Sequence, residues 1–471
     1  MRVCRSVALL FFLFVAFGRR PVPAEEMRIP TGLLQPDRLS VSLAGYSAPD
    51  DVPEAPVPES ESEESAAGEP EKLPVLQEAP PTGPLTVEDL QRIASENNPT
   101  LVQAGMAVQA AEGRYVQSGL YPNPAIGYAG GDVGLDDTSG QQGGFVSQEF
   151  VTAGKLRLGR AVASHEVQQA QCGREAQRWK VWNDVRAGYY GVLVTQKLIE
   201  VSKQLVRIGE EDVQATERLK AAGEVGRADV LQVRIEAEKA ALDLIQARNQ
   251  YRAAWQQLTA VLGSPDLEPT LLLGDVDANL PKFDYETSLQ RLLTQSPQLT
   301  RARAGVERAR CDLALQYAER IPNFEVEAGA KYDESASYSL ADVAVVLPIP
   351  IFNRNQGNII EAQAGLIDAE NEVQRIDLDL REKFAAVFEQ YANARRQVKT
   401  YTETILPHAK ESLDLIRTGH REGEFGYLDL LTAQRTYFGV SLDYLSSLGE
   451  LWARSVELEG LLLTGSLEGV E

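Results

Sequence analysis

The amino-acid sequence predicts a mainly α-helical protein with a small β part, arranged as two tandem helix–strand–strand–helix–helix repeats. The first observation is a repeated segment, since GEVGRADVLQ at 223–232 returns as GEFGYLDLLT at 423–432. The second is the alternation of apolar and other residues at 324–332, which is typical of a strand with one apolar face. The third is an apolar stripe at steps of three, four or seven residues from Ile359 to Ile405, which indicates a long helix.

Composition and charge exclude several classes of function. The chain has 68 acidic and 46 basic side chains and a formal net charge of −22, whereas a nucleic-acid-binding surface needs an excess of positive charge. The sequence contains neither a nucleophile-elbow motif nor a phosphate-binding loop motif. The three histidines, His165, His408 and His420, lack the spacing of metal ligands. We therefore expect no enzymatic activity, no cofactor, no bound metal and no nucleic-acid partner.

The N-terminal region predicts export followed by a tether. Residues 1–24 combine a basic start, an apolar segment too short to span a membrane and small residues typical of a cleavage site, as a secretory signal peptide does. Residues 25–84 are acidic and rich in proline, with nine prolines from Pro49 to Pro84. Such a segment cannot bury enough apolar surface to offset the entropy of ordering it, so we predict a disordered leader.

Two repeats fill the rest of the chain, and we assign them to residues 85–283 and 284–465. Around the glycine-containing segments the two copies match at an offset of 200, through Gly223 and Gly423, Gly226 and Gly426, Asp229 and Asp429, and Leu231 and Leu431. The segments YPNPAI at 121–126 and IPNFEV at 321–326 match at the same offset. Internal repetition at a fixed period indicates that one structural unit is used twice.

Each repeat is expected to begin with a helix of about thirty residues and to continue with two strands. The first helices are predicted at 86–119 and 284–319. Thr86 and Asp89 resemble a capping box at the start of the first of them. The four strands are predicted at 125–134, 144–150, 324–332 and 339–349.

A long helix and a returning helix complete each repeat. The first long helix is expected at 155–221, and the second from about Ile359 to Thr418, where Pro407 should kink it locally. At a rise of 1.5 Å per residue, some 65 residues reach about 100 Å. The returning helices are predicted at 226–262 and 426–463.

The strands point to a membrane channel shared between chains. Alternating strands in an exported chain suggest a barrel in an outer membrane. Four strands cannot close a barrel, because even small barrels need about eight, and open sheet edges are not tolerated in lipid. Several chains would therefore share one barrel. A non-enzymatic coiled-coil scaffold of the envelope and a periplasmic adaptor are the alternatives, and the paired amphipathic strands favour the channel.

From about residue 85 to 465 the sequence resembles the TolC family of outer-membrane efflux channels. The resemblance rests on the repeat plan, on LPIPIFNRNQGNI at 347–359 and on REGEFGYLDLLTAQRTYF at 421–438. The form LPIPIFNRNQG is most similar to the CzcC-type branch, which serves heavy-metal efflux pumps.

This resemblance implies a homotrimer in the outer membrane that extends into the periplasm. Three chains would supply twelve strands for a β-barrel through the outer-membrane lipid, continued by a long α-helical barrel. The implied function is a passive exit channel that works with a periplasmic membrane-fusion adaptor and an inner-membrane pump of the resistance–nodulation–division class. Divalent heavy-metal cations are the expected substrates, and drug export and type I protein secretion remain open as alternatives.

The strand-to-helix junction at 348–358 would lie at the periplasmic rim of the bilayer. Pro348 and Pro350 lack N–H donors and are expected to end the strand ladder. Asn353 or Asn355 is expected to cap the new helix through a side-chain oxygen. Gly357 is expected to let two backbones approach closely.

The resemblance assigns adaptor docking and gating to the turns between the long and the returning helices. Asp229 and Asp429 fall in the first turn of the returning helices, where a carboxylate suits the helix N-terminus. Four glycines are expected to supply the positive φ of a tight reversal: Gly223, Gly226, Gly423 and Gly426.

Leucines and glutamates complete the candidate tip. Leu231, Leu430 and Leu431 are expected to pack the returning helices onto their partners. Glu422 and Glu424 are expected to favour cations near the mouth through their local potential. The alternative is that both turns are helical hairpins with no further role, since glycine is the default turn residue.

Overall fold

The computed structural model describes residues 83–134, 139–334, 336–422 and 424–468. The signal peptide predicted at 1–24 lies outside the described residues. So does the predicted leader, apart from its last two positions.

Both copies of the repeat have the same order of elements. In the first copy these are α1 (Val87–Asn97), α2 (Pro99–Gln117), β1 (Ala125–Gly131), β2 (Gln141–Phe150), α3 (Lys155–Ala221) and α4 (Arg227–Leu262). In the second copy they are α5 (Tyr285–Gln295), α6 (Pro297–Ala318), β3 (Phe324–Asp333), β4 (Tyr338–Val346), α7 (Gln356–Thr400), α8 (Leu406–Glu422) and α9 (Tyr427–Glu459). The mainly helical class with a small β part is therefore confirmed.

The first helix of each copy is broken in two, which corrects the single helix of about thirty residues expected at 86–119 and 284–319. The breaks fall at Asn98-Pro99 and at Ser296-Pro297. A residue before proline is kept out of the helical region, and Asn98 and Ser296 have ψ of 118° and 121°. The side chain of Asn98 then caps α2, since its Oδ1 accepts a hydrogen bond of 2.9 Å from the N–H of Thr100.

A four-stranded antiparallel sheet in the order β1-β2-β3-β4 joins the two copies. Strand β2 of the first copy pairs with β3 of the second along their full lengths, from Gln141 opposite Asp333 to Phe150 opposite Phe324. Strands β1 and β4 are the two edges among the described residues. The four predicted strands are present, and β4 ends at Val346, three residues earlier than expected.

One face of this sheet is apolar and exposed. Val326 lies opposite Val345, and Ala328 lies opposite Val343, so the alternating residues of β3 and β4 share a face. Val343 is 75 % exposed and Ile126 of β1 is 85 % exposed. The predicted period of two is confirmed, and its apolar face is uncovered in the single chain.

The long helices match in extent but not in continuity. Helix α3 runs unbroken for 67 residues. In the second copy a π-helical segment, Tyr401–Ile405, separates α7 from α8 just before Pro407. Proline has no N–H to donate to the preceding turn, and a wider π turn accommodates this loss. The predicted disturbance near Pro407 therefore takes the form of a π-helical segment.

The largest hydrophobic core forms where helices from both copies meet. Trp452 of α9 stacks on Tyr190 of α3 with ring centroids 3.8 Å apart, and its Nε1 donates to the carbonyl of Val276 at 2.8 Å. The fully buried side chains of this core include Val181, Val185, Leu258, Leu262, Phe384, Tyr391, Leu448 and Leu451. None of the helices in the described part of the chain is both long enough and apolar enough to cross a membrane.

Replacing Tyr391 by phenylalanine should destabilise this core. The buried Tyr391 hydroxyl donates to the carbonyl of Pro281 at 3.0 Å and accepts from the N–H of Phe283 at 2.9 Å. Tyr391→Phe keeps the ring but leaves both backbone groups unpaired, at a cost of about 1–3 kcal/mol each. The thermal unfolding midpoint should fall. Tyr317→Phe, which removes an exposed hydroxyl bonded to Gln363, is the control, and equal midpoints for the two variants would contradict the role of Tyr391.

Candidate functional site

The two turns between long and returning helices share one backbone geometry. After α3, the N–H of Glu224 donates to the carbonyl of Leu219 at 3.0 Å. After α8, the N–H of Glu424 donates to the carbonyl of Gly419 at 2.8 Å. Both are six-to-one bonds that close the C-terminus of a helix.

Only one of the described turn glycines has the positive φ that the sequence suggested. Gly223 has a φ of 82°. The expectation is wrong for Gly226 and Gly426, whose φ values of −84° and −73° belong to extended backbone at the start of α4 and α9. Gly423 lies outside the described residues. The reason is positional, since the left-handed residue ends the outgoing helix whereas an N-cap residue is extended.

Asp229 and Asp429 anchor the start of the returning helices, as predicted. An Oδ2 atom of each carboxylate accepts a hydrogen bond from the backbone N–H three residues earlier, at 2.9 Å for Gly226 and 3.1 Å for Gly426. Each acid therefore satisfies an N–H group that the helix leaves unpaired and opposes the positive end of the helix dipole.

The leucine prediction is correct in the second copy and wrong in the first. Leu430 and Leu431 are 5 % and 6 % exposed and pack as expected. Leu231 is 49 % exposed, and Val230 and Val233 are buried instead. Successive helical residues differ by about 100°, so one position decides which side chain faces the partner helix.

The second turn carries an aromatic ring where the first does not. The ring of Phe425 lies over Gly419, and a Cβ atom added at Gly419 would overlap it. The first copy has Val225 and Leu219 at these positions. The carbonyl of Phe425 also lies 2.9 Å from Nδ1 of His420. Glu422 and Glu424 are both exposed.

Polar contacts about two to three helical turns from the tip join the two hairpins, and sequence reasoning missed them. Gln434 of α9 donates to Oδ2 of Asp212 on α3 at 3.0 Å. Arg435 of α9 donates to Glu236 of α4 at 3.2 Å, and Lys239 also binds that carboxylate, at 3.1 Å. Gln434 and Asp212 are 222 residues apart in the chain and Arg435 and Glu236 are 199 apart, so no local pattern could indicate these two pairs.

Burial and hydrogen bonding near these contacts shift the pKa values of Asp212, Tyr427 and Glu236. Burial raises the pKa of Asp212, against the hydrogen bond from Gln434. Burial also raises the pKa of Tyr427 to about 12, and the nearby carboxylates of Asp212 and Glu236 add to this. For Glu236, burial is outweighed by the hydrogen bonds from Arg435 and Lys239, which lower its pKa.

At the strand-to-helix junction, the predicted position of the helix cap is correct, but the predicted way in which the side chain caps the helix is wrong. Pro348 and Pro350 follow the end of β4, as predicted. Asn355 precedes α7 with a φ of 58°, but its side chain accepts from no backbone N–H of the helix, and its Oδ1 accepts from the side-chain Nδ2 of Asn358 at 2.6 Å. Its Nδ2 instead donates to the carbonyl of Gln316 at 2.8 Å, and its own N–H donates to Oδ1 of Asn353 at 3.0 Å.

Gly357 does not let two segments of the chain approach closely. A Cβ atom added there would meet nothing within 4 Å. The apolar residues before it are strongly exposed, with Ile349 at 76 % and Phe352 at 89 %. Among the described residues, this junction leaves its apolar side chains uncovered.

The matching junction of the first copy is tied to the second copy by a buried lysine. Lys155 is 7 % exposed, and its Nζ lies 3.0 Å from Oε2 of Glu319 and donates to Oδ1 of Asn323 at 2.9 Å. The hydroxyl of Thr152 donates to the carbonyl of Pro322 at 2.8 Å. Within the described ranges, no group of three or more His, Cys, Asp or Glu residues is placed to hold a metal ion.

Comparisons with known proteins agree on one family. A family model described as outer membrane efflux protein matches residues 90–264 and again residues 288–462. The cobalt-zinc-cadmium resistance protein CzcC of Cupriavidus metallidurans is 28 % identical over 384 residues, which cover 81 % of this chain and 90 % of that protein. The alkaline protease secretion protein AprF of Pseudomonas aeruginosa is 24 % identical over 311 residues, which cover 60 % of this chain and 62 % of that protein.

A solved structure shows the same fold. The structure of CusC, described in a study of folding and transmembrane channel formation, superimposes with a TM-score of 0.67 at 19 % identity. The alignment covers 80 % of this chain and 92 % of that one.

Substituting valine at Gly223 should loosen the first turn, whereas the same change at Gly226 should not. A β-branched residue in the left-handed region costs roughly 1–3 kcal/mol, and Gly226 is already extended. Neither position lacks room for a Cβ atom, so backbone strain is the main difference. Hydrogen–deuterium exchange at 219–229 should accelerate only in Gly223→Val. Equal exchange in both variants would show that the left-handed conformation is not required.

Asp212→Asn should raise stability at neutral pH and lose this advantage in acid. Because burial raises the pKa of Asp212, the folded protein holds the proton more tightly than the unfolded chain, and stability falls as the pH rises through that raised value. The asparagine carbonyl still accepts from Gln434. Thermal midpoints measured at pH 7 and near pH 4 test this, with the exposed Asp243→Asn as control. An advantage that persisted unchanged in acid would refute it.

Proposed function

Because the chain belongs to the outer membrane efflux protein family, we propose that it is the outer-membrane exit channel of a tripartite efflux system. The proposed channel is a homotrimer that spans the outer membrane and extends into the periplasm. It is a passive conduit, and an inner-membrane pump of the resistance–nodulation–division class supplies the energy through a periplasmic membrane-fusion adaptor.

This proposal rests on the four-stranded sheet, whose apolar face is exposed and whose polar face is sheltered. Ile126 and Val343 on the apolar face are 85 % and 75 % exposed. Ser147 and Asp333 on the opposite face are 6 % and 8 % exposed. A sheet in water shelters its apolar face, whereas a sheet in lipid presents that face outward and keeps polar side chains inside.

The edges of the sheet favour a trimer. Strands β1 and β4 each pair on one side only among the described residues, and unpaired backbone groups cost several kcal/mol each in lipid. Three sheets placed edge to edge would pair every edge and give twelve strands, enough to close a barrel. We assign one family repeat to residues 85–283 and the other to 284–465.

The long helices and their turns supply the periplasmic part. Helix α3 has 67 residues, so at 1.5 Å per residue it extends about 100 Å from the sheet. The turns at its far end are the proposed surface for adaptor docking and gating. That surface comprises Gly223, Gly226, Asp229, Leu231, Glu422, Gly423, Glu424, Gly426, Asp429 and Leu431.

Divalent heavy-metal cations are the proposed substrates. The relative that is 28 % identical over most of its length is a cobalt-zinc-cadmium resistance protein. The exposed Glu422 and Glu424 would give the mouth a negative potential that attracts cations. The likeness to a protease secretion protein supports protein export as the second candidate.

The proposal predicts a trimer and a metal phenotype. Light scattering in detergent should return three chains per particle, and planar bilayers should show cation-selective conductance. A deletion strain should become sensitive to zinc, cobalt or cadmium and recover with the plasmid-borne gene. Glu422→Gln with Glu424→Gln should reduce cation selectivity, whereas Glu382→Gln, an exposed acid on α7, should not.

A different experimental outcome would contradict each part of the proposal. A monomer without conductance would exclude the channel. A trimeric channel whose loss leaves metal resistance intact but blocks secretion of a protease would favour the second candidate. Unchanged cation selectivity after both glutamates are neutralised would show that Glu422 and Glu424 do not attract cations at the mouth of the channel.

A further inference from the structure

A phenylalanine occupies the sheltered, polar face of the sheet. Phe145 of β2 lies opposite Gly127 of β1 on one side and Gly329 of β3 on the other. Asp342 of β4 lies opposite Gly329 in the same row. The four residues paired across the sheet at this level are therefore Gly127, Phe145, Gly329 and Asp342. The aromatic residue has a glycine as its neighbour on each side.

The surroundings of Phe145 make it an exception on this face. The other residues of β2 and β3 on the same face are polar, charged or glycine: Gln141, Gly143, Ser147, Glu149, Glu325, Glu327, Gly329, Lys331 and Asp333. The residues of β1 on this face are only alanine and glycine. No packing core covers the ring from above within the described residues, so hydrophobic burial by a core does not explain it.

The ring instead lies flat against the backbone of β1. A Cβ atom added at Gly127 would overlap the ring of Phe145 and would lie 2.9 Å from its Cε2 atom. At Gly329 an added Cβ atom would lie 3.2 Å from the Cβ atom of Phe145. An aromatic side chain laid over a glycine of the neighbouring strand covers exposed backbone and gains contact area there. Gly127 is thus the position that permits this orientation.

We propose that Phe145 sets the effective width of the pore at this level and that Gly127 keeps its ring folded against the wall. This inference rests on the proposed function, since only in a closed barrel does the sheltered face become a lumen. An eight-stranded barrel is filled by its own side chains and one of sixteen strands leaves an aqueous channel, so the lumen of a twelve-stranded barrel lies between these two cases and three upright aromatic rings would occupy part of it. Rings lying flat leave room for hydrated ions or larger solutes, and upright rings remove it.

Single-channel conductance of the full-length trimer in planar bilayers in potassium chloride tests the inference. Gly127→Val should push the ring upright and lower the conductance by roughly twofold or more. Phe145→Ala should conduct at least as well as the wild type, because the ring already lies flat. The double variant should conduct like Phe145→Ala, since valine acts only through the ring. Gly131→Val is the matched control on the same strand and face, and a Cβ atom there meets nothing within 4 Å.

The outcomes separate this inference from the proposed function. A wild-type protein without conductance would refute the channel itself. With a conducting wild type, an unchanged Gly127→Val channel, or a double variant as narrow as Gly127→Val alone, would overturn the role of Phe145. If Gly127→Val does not assemble, Gly127→Ala provides the same test, because its single methyl group already overlaps the ring.

Discussion

The pairing of β2 with β3 is the interaction on which the rest of the structure depends. Ten residues of each strand are paired, from Gln141 with Asp333 to Phe150 with Phe324. A slip of one residue in this register would exchange the two faces of one strand relative to the other. The pairing therefore aligns the apolar faces of both copies, and the C-terminal end of α6 contacts the start of each long helix, through Glu319 at Lys155 and through Gln316 at Asn355. It is also the only strand pairing between the copies in the described part of the chain.

Polar and aromatic contacts reinforce that joint at successive levels. Lys155 of the first copy reaches Glu319 and Asn323 of the second just below the sheet. Lys155 is 7 % exposed and Glu319 is 41 % exposed, so a change that removes Glu319 would leave a buried lysine with one partner fewer. Farther along, Trp452 stacks on Tyr190 in the core. Near the tip, Asp212 and Gln434 join the hairpins again.

Features that depend on local chemistry could be predicted from the sequence. The alternation of apolar residues predicted the positions of the strands. The presence of Asp229 and Asp429 in the first turns of helices predicted that their carboxylates would bind backbone N–H groups there. The break at Pro99 was also local and could have been found from the restriction that proline places on the residue before it. An asparagine before a helix can either cap it through the side-chain oxygen or adopt a left-handed backbone conformation. The prediction for Asn355 assumed the first, whereas its backbone is left-handed and its side chain donates to Gln316.

Features that depend on distant partners could not be predicted in this way. Whether Leu231 or Val230 faces the neighbouring helix is decided by one step of rotation, and both residues fit an apolar stripe. In the sequence, Phe145 is one residue of a weakly patterned strand. Only the pairing of the strands shows that it lies between Gly127 and Gly329.

The π-helical segment Tyr401–Ile405 limits how far the two copies can be equivalent. A π turn holds an additional residue compared with an α turn, and each helical residue advances by about 100°. Residues beyond the segment are therefore rotated about the helix axis relative to those before it, whereas α3 keeps one phase throughout. The long helices of the two copies correspond from the sheet to the π-helical segment, but from there to the turn they present different sides to their neighbours. A threefold assembly of this chain would have six outgoing helices of two alternating kinds, and its internal pseudo-symmetry would be broken from the level of the π-helical segment to the turns.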